Sequence, residues 1–492
     1  MVQEFLWMSH VSTEGRLKDL NLTVFEGEIL FLLSNHRGEL EEIWQIIAGY
    51  RKITGGMLFL GEKRIAEYNE ALAARYGIFH IDTNAQLVDS LSVAENIFAV
   101  RGRRGRGLFM LYRKKAAVAE AREVLKKVGL AIEPETSVWQ LGPFERFQVC
   151  LAKALVNGAR LLLIDDVENE YNASEKRRIR ELIRELRGKG IASLILADRP
   201  GVLLDGARKI VLTKNGRDMK TYFSNEKTYF SQAVLYQTVA RLWLGVEEKQ
   251  WETGQKREGD EEPVNAPVIC LFGRGPHIRL SPGCIYGFYD GFGDKAKSFG
   301  EQLLDFEREN HTCLFYENGQ QRYGFEELFK AGRAVYIPRE SAFLLLENMA
   351  IGKNIAIPNK SRAAKSLYLS VNRIDDFLEE EFCRQISVPA GTPVWELNSM
   401  QKKILSIHRY LLQKPDILIL EDPTYRLNIQ EADGLREYLR TLSRRGFLIL
   451  LSESSFYEEE LICGAIIHTE KSCYKTTLHR EDFSKLKAER LF

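Results

Sequence analysis

The sequence has no C-x-x-C pair, and its seven cysteines (Cys150, Cys270, Cys284, Cys313, Cys383, Cys463 and Cys473) are odd in number and widely spaced. That argues against a disulfide framework and a clustered zinc site, and fits a reducing compartment. No apolar run approaches the roughly 18 residues that a membrane span requires. The first ten residues, MVQEFLWMSH, lack the basic start and long apolar stretch of a secretory signal, so none is expected. An excess of one charge is missing too: 69 Lys and Arg oppose 68 Asp and Glu, a formal net of +1. No global field draws the chain to nucleic acid or to an anionic membrane surface. The basic cluster RGRRGRG, Arg101 to Gly107, reads as a solvated surface loop.

What is present repeats itself. At 492 residues, 45% of them hydrophobic, the chain is too long for one core and implies two or more domains. Gly27 opens GEI and Gly283 opens GCI, an interval of 256. The same interval separates Leu141 of LGPFERFQVCLAKAL from Leu397 of LNSMQKKILSIHRYL. It also separates Asp165 of LLLIDD from Glu421 of ILILED, and Gly190 before IASLILAD from Gly446 before FLILLSES. Landmarks in one register mark an internal duplication. The charged stretch VEEKQWETGQKREGDEEPVNAP has little apolar surface to bury and reads as a linker. The expected division is a first domain at 1–245, the linker at 246–267, and a second domain at 268–492.

RLLLID and DILILE are near-continuous aliphatic runs that end in acid, the pattern of strands buried on both faces of a parallel sheet. Ile43, Ile46, Ile47 and Tyr50 fall at helical spacing, as do Ile179, Leu182, Ile183 and Leu186. Leu435, Tyr438, Leu439 and Leu442 repeat the pattern before Gly446, while Gly188 or Gly190 closes the earlier helix. The fold class is α/β, twice over.

EILFLLSNHRGELEEIWQIIAGY, from Glu28 to Tyr50, has the layout of a phosphate-binding loop: apolar strand, polar turn, amphipathic helix. Such a loop needs glycines so that backbone N–H groups can approach phosphate, a lysine to meet β/γ charge, and Ser or Thr to hold magnesium. A second strand must end in an acid that helps hold the metal. The order here is loop, LSVAENIF (Leu91 to Phe98), helix-borne LGPFERFQ, acidic strand, then LILAD. With LAKAL (Leu151 to Leu155), DPT (Asp422 to Thr424) and the stretch from Gly107 to Leu130 that ends KKVGL, this order resembles the ATP-binding cassette of ABC transporters.

More narrowly, it resembles the tandem-cassette ATP-binding subunit of bacterial sugar importers of the ribose, galactose and xylose type, over nearly the whole chain. The resemblance implies two tandem P-loop NTPase-like domains, each with a mostly parallel sheet and a helical subdomain. It implies ATP and Mg2+ as cofactors, with ATP sandwiched between one copy's loop and the other copy's signature. It implies a membrane permease or another ABC subunit as partner, no nucleic acid, no membrane span, and a cytoplasmic place at the inner face of the cell membrane.

The polar stations depart from that family. G-x-x-x-x-G-K-S falls on Ser34-Asn35-His36-Arg37-Gly38-Glu39-Leu40-Glu41. Both glycines of the pattern are gone, Gly38 is the only glycine left, and Leu40 sits at the lysine position. An ion pair near 4 Å is worth at most about 4 kcal/mol at an effective dielectric of about 20, roughly three decades of affinity. A helix start gathers unsatisfied N–H groups and partial positive charge. Glu39, Glu41 and Glu42 crowd it, and are expected to plug it in place of phosphate. Thr83 stands at the lid glutamine, and Leu141-Gly142-Pro143-Phe144-Glu145 at the signature L-S-G-G-Q. Asp165 remains as a metal partner, Asp166 replaces the catalytic glutamate, and Asp198 replaces the switch histidine.

In the second copy GFGDKAKS fits G-x-x-x-x-A-K-S if one residue is inserted. Gly291, Gly293, Lys297 and Ser298 then bind phosphate, with Ser298 on the metal; the bland alternative makes Lys297 a surface residue of the first helical turn. Arg339 stands near the lid, Glu421 at the metal aspartate, Asp422 at the catalytic glutamate and Ser454 at the histidine. The two acids have exchanged lengths, which the positioning of an attacking water would feel. The facing signature is Asn398-Ser399-Met400-Gln401. One composite site thus lacks its lysine and the other faces a signature without serine. The expectation is an ABC-like subunit impaired in or lacking hydrolysis, a binding or regulatory module, with ATP and Mg2+ weak at the second domain and none at the first. The alternative is an active ATPase subunit energising carbohydrate import through a separate permease.

Overall fold

The computed structural model describes residues 3–81, 87–98, 114–165, 171, 173–201, 204, 206–225, 235, 238–239, 242–243, 269–271, 278–290, 298–310, 314–316, 321–359, 379–384, 386–389, 391–453, 456–470, 473–480 and 483. The chain divides into two compact units, Met1–Glu248 and Lys249–Phe492.

The first unit runs β1 (Glu4–Ser12), β2 (Leu20–Phe25), β3 (Ile29–Ser34), α1 (Arg37–Ile47), β4 (Gly55–Leu60), β5 (Lys63–Arg64), α2 (Glu70–Arg75), β6 (Ile78–Ile81), α3 (Val93–Phe98), α4 (Lys114–Lys127), α5 (Pro143–Val156), β7 (Leu161–Asp165), α6 (Ala173–Gly188), β8 (Ala192–Ala197), β9 (Lys209–Lys214) and β10 (Arg217–Phe223). Its main sheet has the order β10-β9-β3-β8-β7-β6. All neighbours are parallel except β9 and β10. Every residue of β3 and β8 is buried, as a central parallel sheet covered on both faces demands. α1 lays Leu40, Ile43, Ile46 and Ile47 on that sheet, each at 0% exposure. Each such burial contributes about 1.5–3 kcal/mol. A smaller antiparallel sheet, β2-β1-β4-β5, completes the unit.

The second unit runs β11 (Ile269–Leu271), β12 (Ile278–Leu280), β13 (Ile285–Asp290), α7 (Phe299–Asn310), β14 (Leu314–Tyr316), β15 (Gln321–Tyr323), α8 (Phe325–Lys330), β16 (Ala334–Ile337), α9 (Ile351–Ala356), α10 (Ser399–Leu411), β17 (Ile417–Glu421), α11 (Ile429–Arg444), β18 (Leu448–Ser452), α12 (Phe456–Ile462), β19 (Ala465–Glu470) and β20 (Cys473–His479). Its sheets read β16-β17-β18-β13-β19-β20 and β12-β11-β14-β15. Taken from the other edge, the first of these is the order of the main sheet above. β7 opens at Leu161 and β17 at Ile417, β8 at Ala192 and β18 at Leu448, β9 at Lys209 and β19 at Ala465, each pair 256 apart. The duplication in the sequence is therefore a duplication of topology.

Gly190 and Gly446, which lead into β8 and β18, have φ of +80° and +97°. Gly190 follows α6, with its N–H on the Arg187 carbonyl at 3.0 Å and the Ile191 N–H on Leu186 at 3.1 Å. This left-handed exit turns the chain back into the sheet, and only glycine adopts it without strain.

Candidate functional site

In the first unit β3 delivers the chain to α1 through His36, an N-cap in extended conformation whose side chain makes no capping bond. The three glutamates do not plug this helix start, which corrects the expectation from spacing. Glu39 is 2% exposed. Its carboxylate accepts from Ser34 Oγ at 2.8 Å, Thr213 Oγ1 at 3.3 Å and the Gly216 N–H at 2.8 Å. Glu42 accepts from Thr13 Oγ1 at 2.9 Å and the Arg16 N–H at 2.9 Å, and pairs with Arg51 at 3.1 Å. Glu41 accepts from Gln45 Nε2 at 3.3 Å on the exposed face. Glu39 and Glu42 face neighbouring chain, so their charge fastens the β9–β10 hairpin and the segment before β2.

Leu40, at the lysine position, is fully buried in the core with Ile43 and Ile47. Gly38 lies against Arg16, whose Nε would be 2.6 Å from a Cβ placed there. Asp165 closes β7 and faces a cation of the chain itself, Arg37 Nη2 at 3.3 Å from Oδ2. The signature position is capped by its own acid, the Gly142 N–H donating to Glu145 Oε2 at 2.9 Å. Arg178 stacks over Phe144 at 5.3 Å. Asp198 is buried at 6% exposure. Thr83 and Asp166 lie outside the described residues.

In the second unit Gly291, Gly293, Lys297 and Ser454 lie outside the described residues. Ser298 caps α7. Its hydroxyl donates to Glu301 Oε2 at 2.9 Å, its N–H to the same oxygen at 2.8 Å, and it accepts from the Glu301 N–H at 3.3 Å. This reciprocal box occupies the hydroxyl that the sequence assigned to a metal. Glu421, at the end of β17, accepts the Phe299 N–H at 3.0 Å on Oε1. Its Oε2 accepts the Tyr336 hydroxyl and, at 3.5 Å, the Arg339 N–H. Burial, then the bond to Glu421, pushes the Tyr336 phenol above its ordinary range. A carboxylate on a helix start was expected of the first unit; it is found in the second, and comes from the base strand.

Asp422 follows with φ of +39°, a left-handed conformation rare outside glycine, and its N–H donates to the Ser452 carbonyl at 2.7 Å. Arg339 lies over the Tyr425 ring at 4.3 Å, with Arg426 at 5.2 Å. At the signature position Asn398 Oδ1 accepts the Gln401 N–H at 2.8 Å and Gln401 Oε1 accepts the Asn398 N–H at 2.9 Å. Sequence reasoning missed Tyr336, whose only signal is its place near the end of β16 beside β17.

No family model matches the chain. Among curated proteins, it is similar to the ribose import ATP-binding protein RbsA 1 of Rhizobium meliloti, 23% identical over 456 residues, 90% of this chain and 87% of that one. It is similar to the L-arabinose transport ATP-binding protein AraG of Geobacillus stearothermophilus, 23% identical over 503 residues, 96% and 94% of the two chains. It is similar to the xylose import ATP-binding protein XylG of Photobacterium profundum, 24% identical over 495 residues, again 96% and 94%. The chain is a tandem-cassette relative of sugar-import ATP-binding proteins. The cassette fold is also that of a solved complex of archaeal ribosomal stalk protein aP1 and ribosome recycling factor aABCE1, at TM-score 0.54 and 15% identity over 97% of this chain and 92% of that one. That likeness speaks for the fold alone: two tandem ABC-type α/β cassettes. In this tandem cassette no helix among the described residues is long and apolar enough to cross a membrane.

Proposed function

We propose that this tandem cassette serves a carbohydrate importer as a subunit whose first unit holds no nucleotide, and whose second binds it weakly and does not sustain hydrolysis. One observation carries the reading: in both units the acid that closes the base strand is committed to groups of the chain. Asp165 faces Arg37 at 3.3 Å, and Glu421 sits on the Phe299 N–H at 3.0 Å.

The residues of the first unit do not fit a magnesium nucleotide. Leu40 is in the core, and Arg37 supplies the positive charge that a metal would bring to Asp165. In the second unit Ser298 and Glu421 have suitable oxygen donors, but both are engaged by α7 and Tyr336. Under this reading Gly291, Gly293 and Lys297 hold phosphate there and a magnesium ion must displace the internal bonds first. Asp422 and Asp166, each a methylene shorter than glutamate, orient an attacking water poorly. The partner is a membrane permease or a second cassette protein, and the chain works at the cytoplasmic face of that membrane.

Calorimetric ATP titration of the full chain with Mg2+, beside Lys297→Ala, tests the proposal. The expected result is millimolar binding that Lys297→Ala weakens further, and phosphate release at the blank rate. Micromolar binding with steady turnover that Lys297→Ala abolishes would overturn it, and leave an active ATPase subunit of a sugar importer as the reading.

A further inference from the structure

Glu459 of α12 has no place in any of these stations. It belongs to the run YEEEL, yet it is fully buried at 0% exposure. Oε1 accepts the Glu453 N–H at 3.2 Å, while Oε2 has no hydrogen-bond partner. Gly287 of β13 makes room for it. A Cβ there would lie 2.8 Å from Glu459 Oε2 and 3.1 Å from Cys463 Sγ. Glycine inside a strand marks such a close approach.

The groups around it, among the described residues, offer no neutralising charge in hydrogen-bond contact. Glu453 and Asp422 press on it electrostatically with the same sign. Cys463 lies beside it, and Arg480 acts on that thiol. Arg440, reaching from α11, donates to the Leu461 carbonyl at 2.9 Å. Burial first, then Glu453 and Asp422, push the Glu459 carboxyl well above the ordinary carboxylate range. Burial, then Glu459 and Glu453, push the Cys463 thiol up likewise.

Glu453 ties this acid to the site. Its carboxylate accepts from Thr424 Oγ1 at 2.9 Å and from the Thr424 N–H at 3.4 Å. Thr424 lies in the turn that starts at Asp422 and closes with the Tyr425 N–H on the Asp422 carbonyl at 2.9 Å. We propose that Glu459 is a proton switch of the second unit: neutral, it seats α12 against β13, and ionised, it is driven out and loosens the turn that carries Asp422. The switch does not depend on whether nucleotide binds.

The sign follows from linkage. Below the unfolded value, about 4.3 for glutamate, both states hold the proton and the seat is at full strength. As pH rises the unfolded or opened state ionises first, and stability falls until the folded value is reached. Hydrogen exchange of the full chain between pH 5.5 and 9, corrected for intrinsic rates, tests this in the wild type, Glu459→Gln and Glu459→Leu. In the wild type, protection of 456–462 and 422–427 relative to either variant is expected to fall by about tenfold per pH unit at most. Parallel pH profiles in wild type and a folded variant would overturn the proposal. If neither variant folds, flat wild-type protection over that range overturns it, and a fall confined to those two segments supports it.

Discussion

Glu39 stands where the phosphate-loop pattern has a glycine, and its carboxylate is held by the chain itself. Three donors, from two strands and the β9–β10 turn, meet its carboxylate, and hydrogen bonds to a charged group are worth about 1.5–3 kcal/mol each. Glu39→Ala would leave the Gly216 N–H without its acceptor in a buried place. It is expected to destabilise the first unit by about 3 kcal/mol, read as a lower urea midpoint, with Glu39→Gln nearer about 1 kcal/mol. Leu40→Lys makes a sharper test of the frame itself. If only the lysine were missing, restoring it would restore nucleotide affinity. Because the position faces the core, the expected outcome is a loss of several kcal/mol in unfolding experiments and no gain in ATP titration.

At the scale of elements, the repeated register was open to sequence reasoning because buried strands and left-handed glycines leave marks in order and spacing. LLLID and ILILE both became base strands, and Gly190 and Gly446 both became exits from helix to strand. Neither glycine has an atom within 4 Å of a Cβ placed on it. Alanine there should cost only backbone strain, about 1 kcal/mol by thermal unfolding. Gly216→Ala should cost clearly more, since its Cβ would lie 2.0 Å from the Arg16 carbonyl. What spacing could not show is where a helical side chain ends. Glu39 lies next to the residues expected at phosphate, yet its partners Thr213 and Gly216 are some 175 positions away in sequence. Glu421 needed only one extra methylene to reach the helix start, and a run such as YEEEL reads as solvated until α12 is placed on β13.

Across the whole molecule, opposite titrations meet in the second unit. His408 is held down to about 4 by burial, then by Arg445, with Nδ1 3.2 Å from the Tyr438 hydroxyl. A histidine buried neutral contributes fully above its unfolded value near 6.5, and that stability is lost as pH falls from there toward 4. The loss is on the order of 3 kcal/mol, and in urea unfolding followed against pH His408→Leu should remove that contribution, leaving a stability that falls as pH rises from about 4.3. Glu459 acts in the other direction, and from about 4.3 to about 6.5 the two slopes oppose each other, so the second unit should be most stable across that overlap and weaken above it. The first unit has its own core and its own ion pairs, so calorimetry of the full chain is expected to show separate transitions.

Arg37 holds its guanidinium 3.3 Å from Asp165. A guanidinium on a covalent tether never diffuses away, whereas a dissolved divalent ion comes and goes with supply. Under the proposed function, a chelator, or a cell drained of its energy currency, is therefore expected to find that end of β7 in the same state as abundance does.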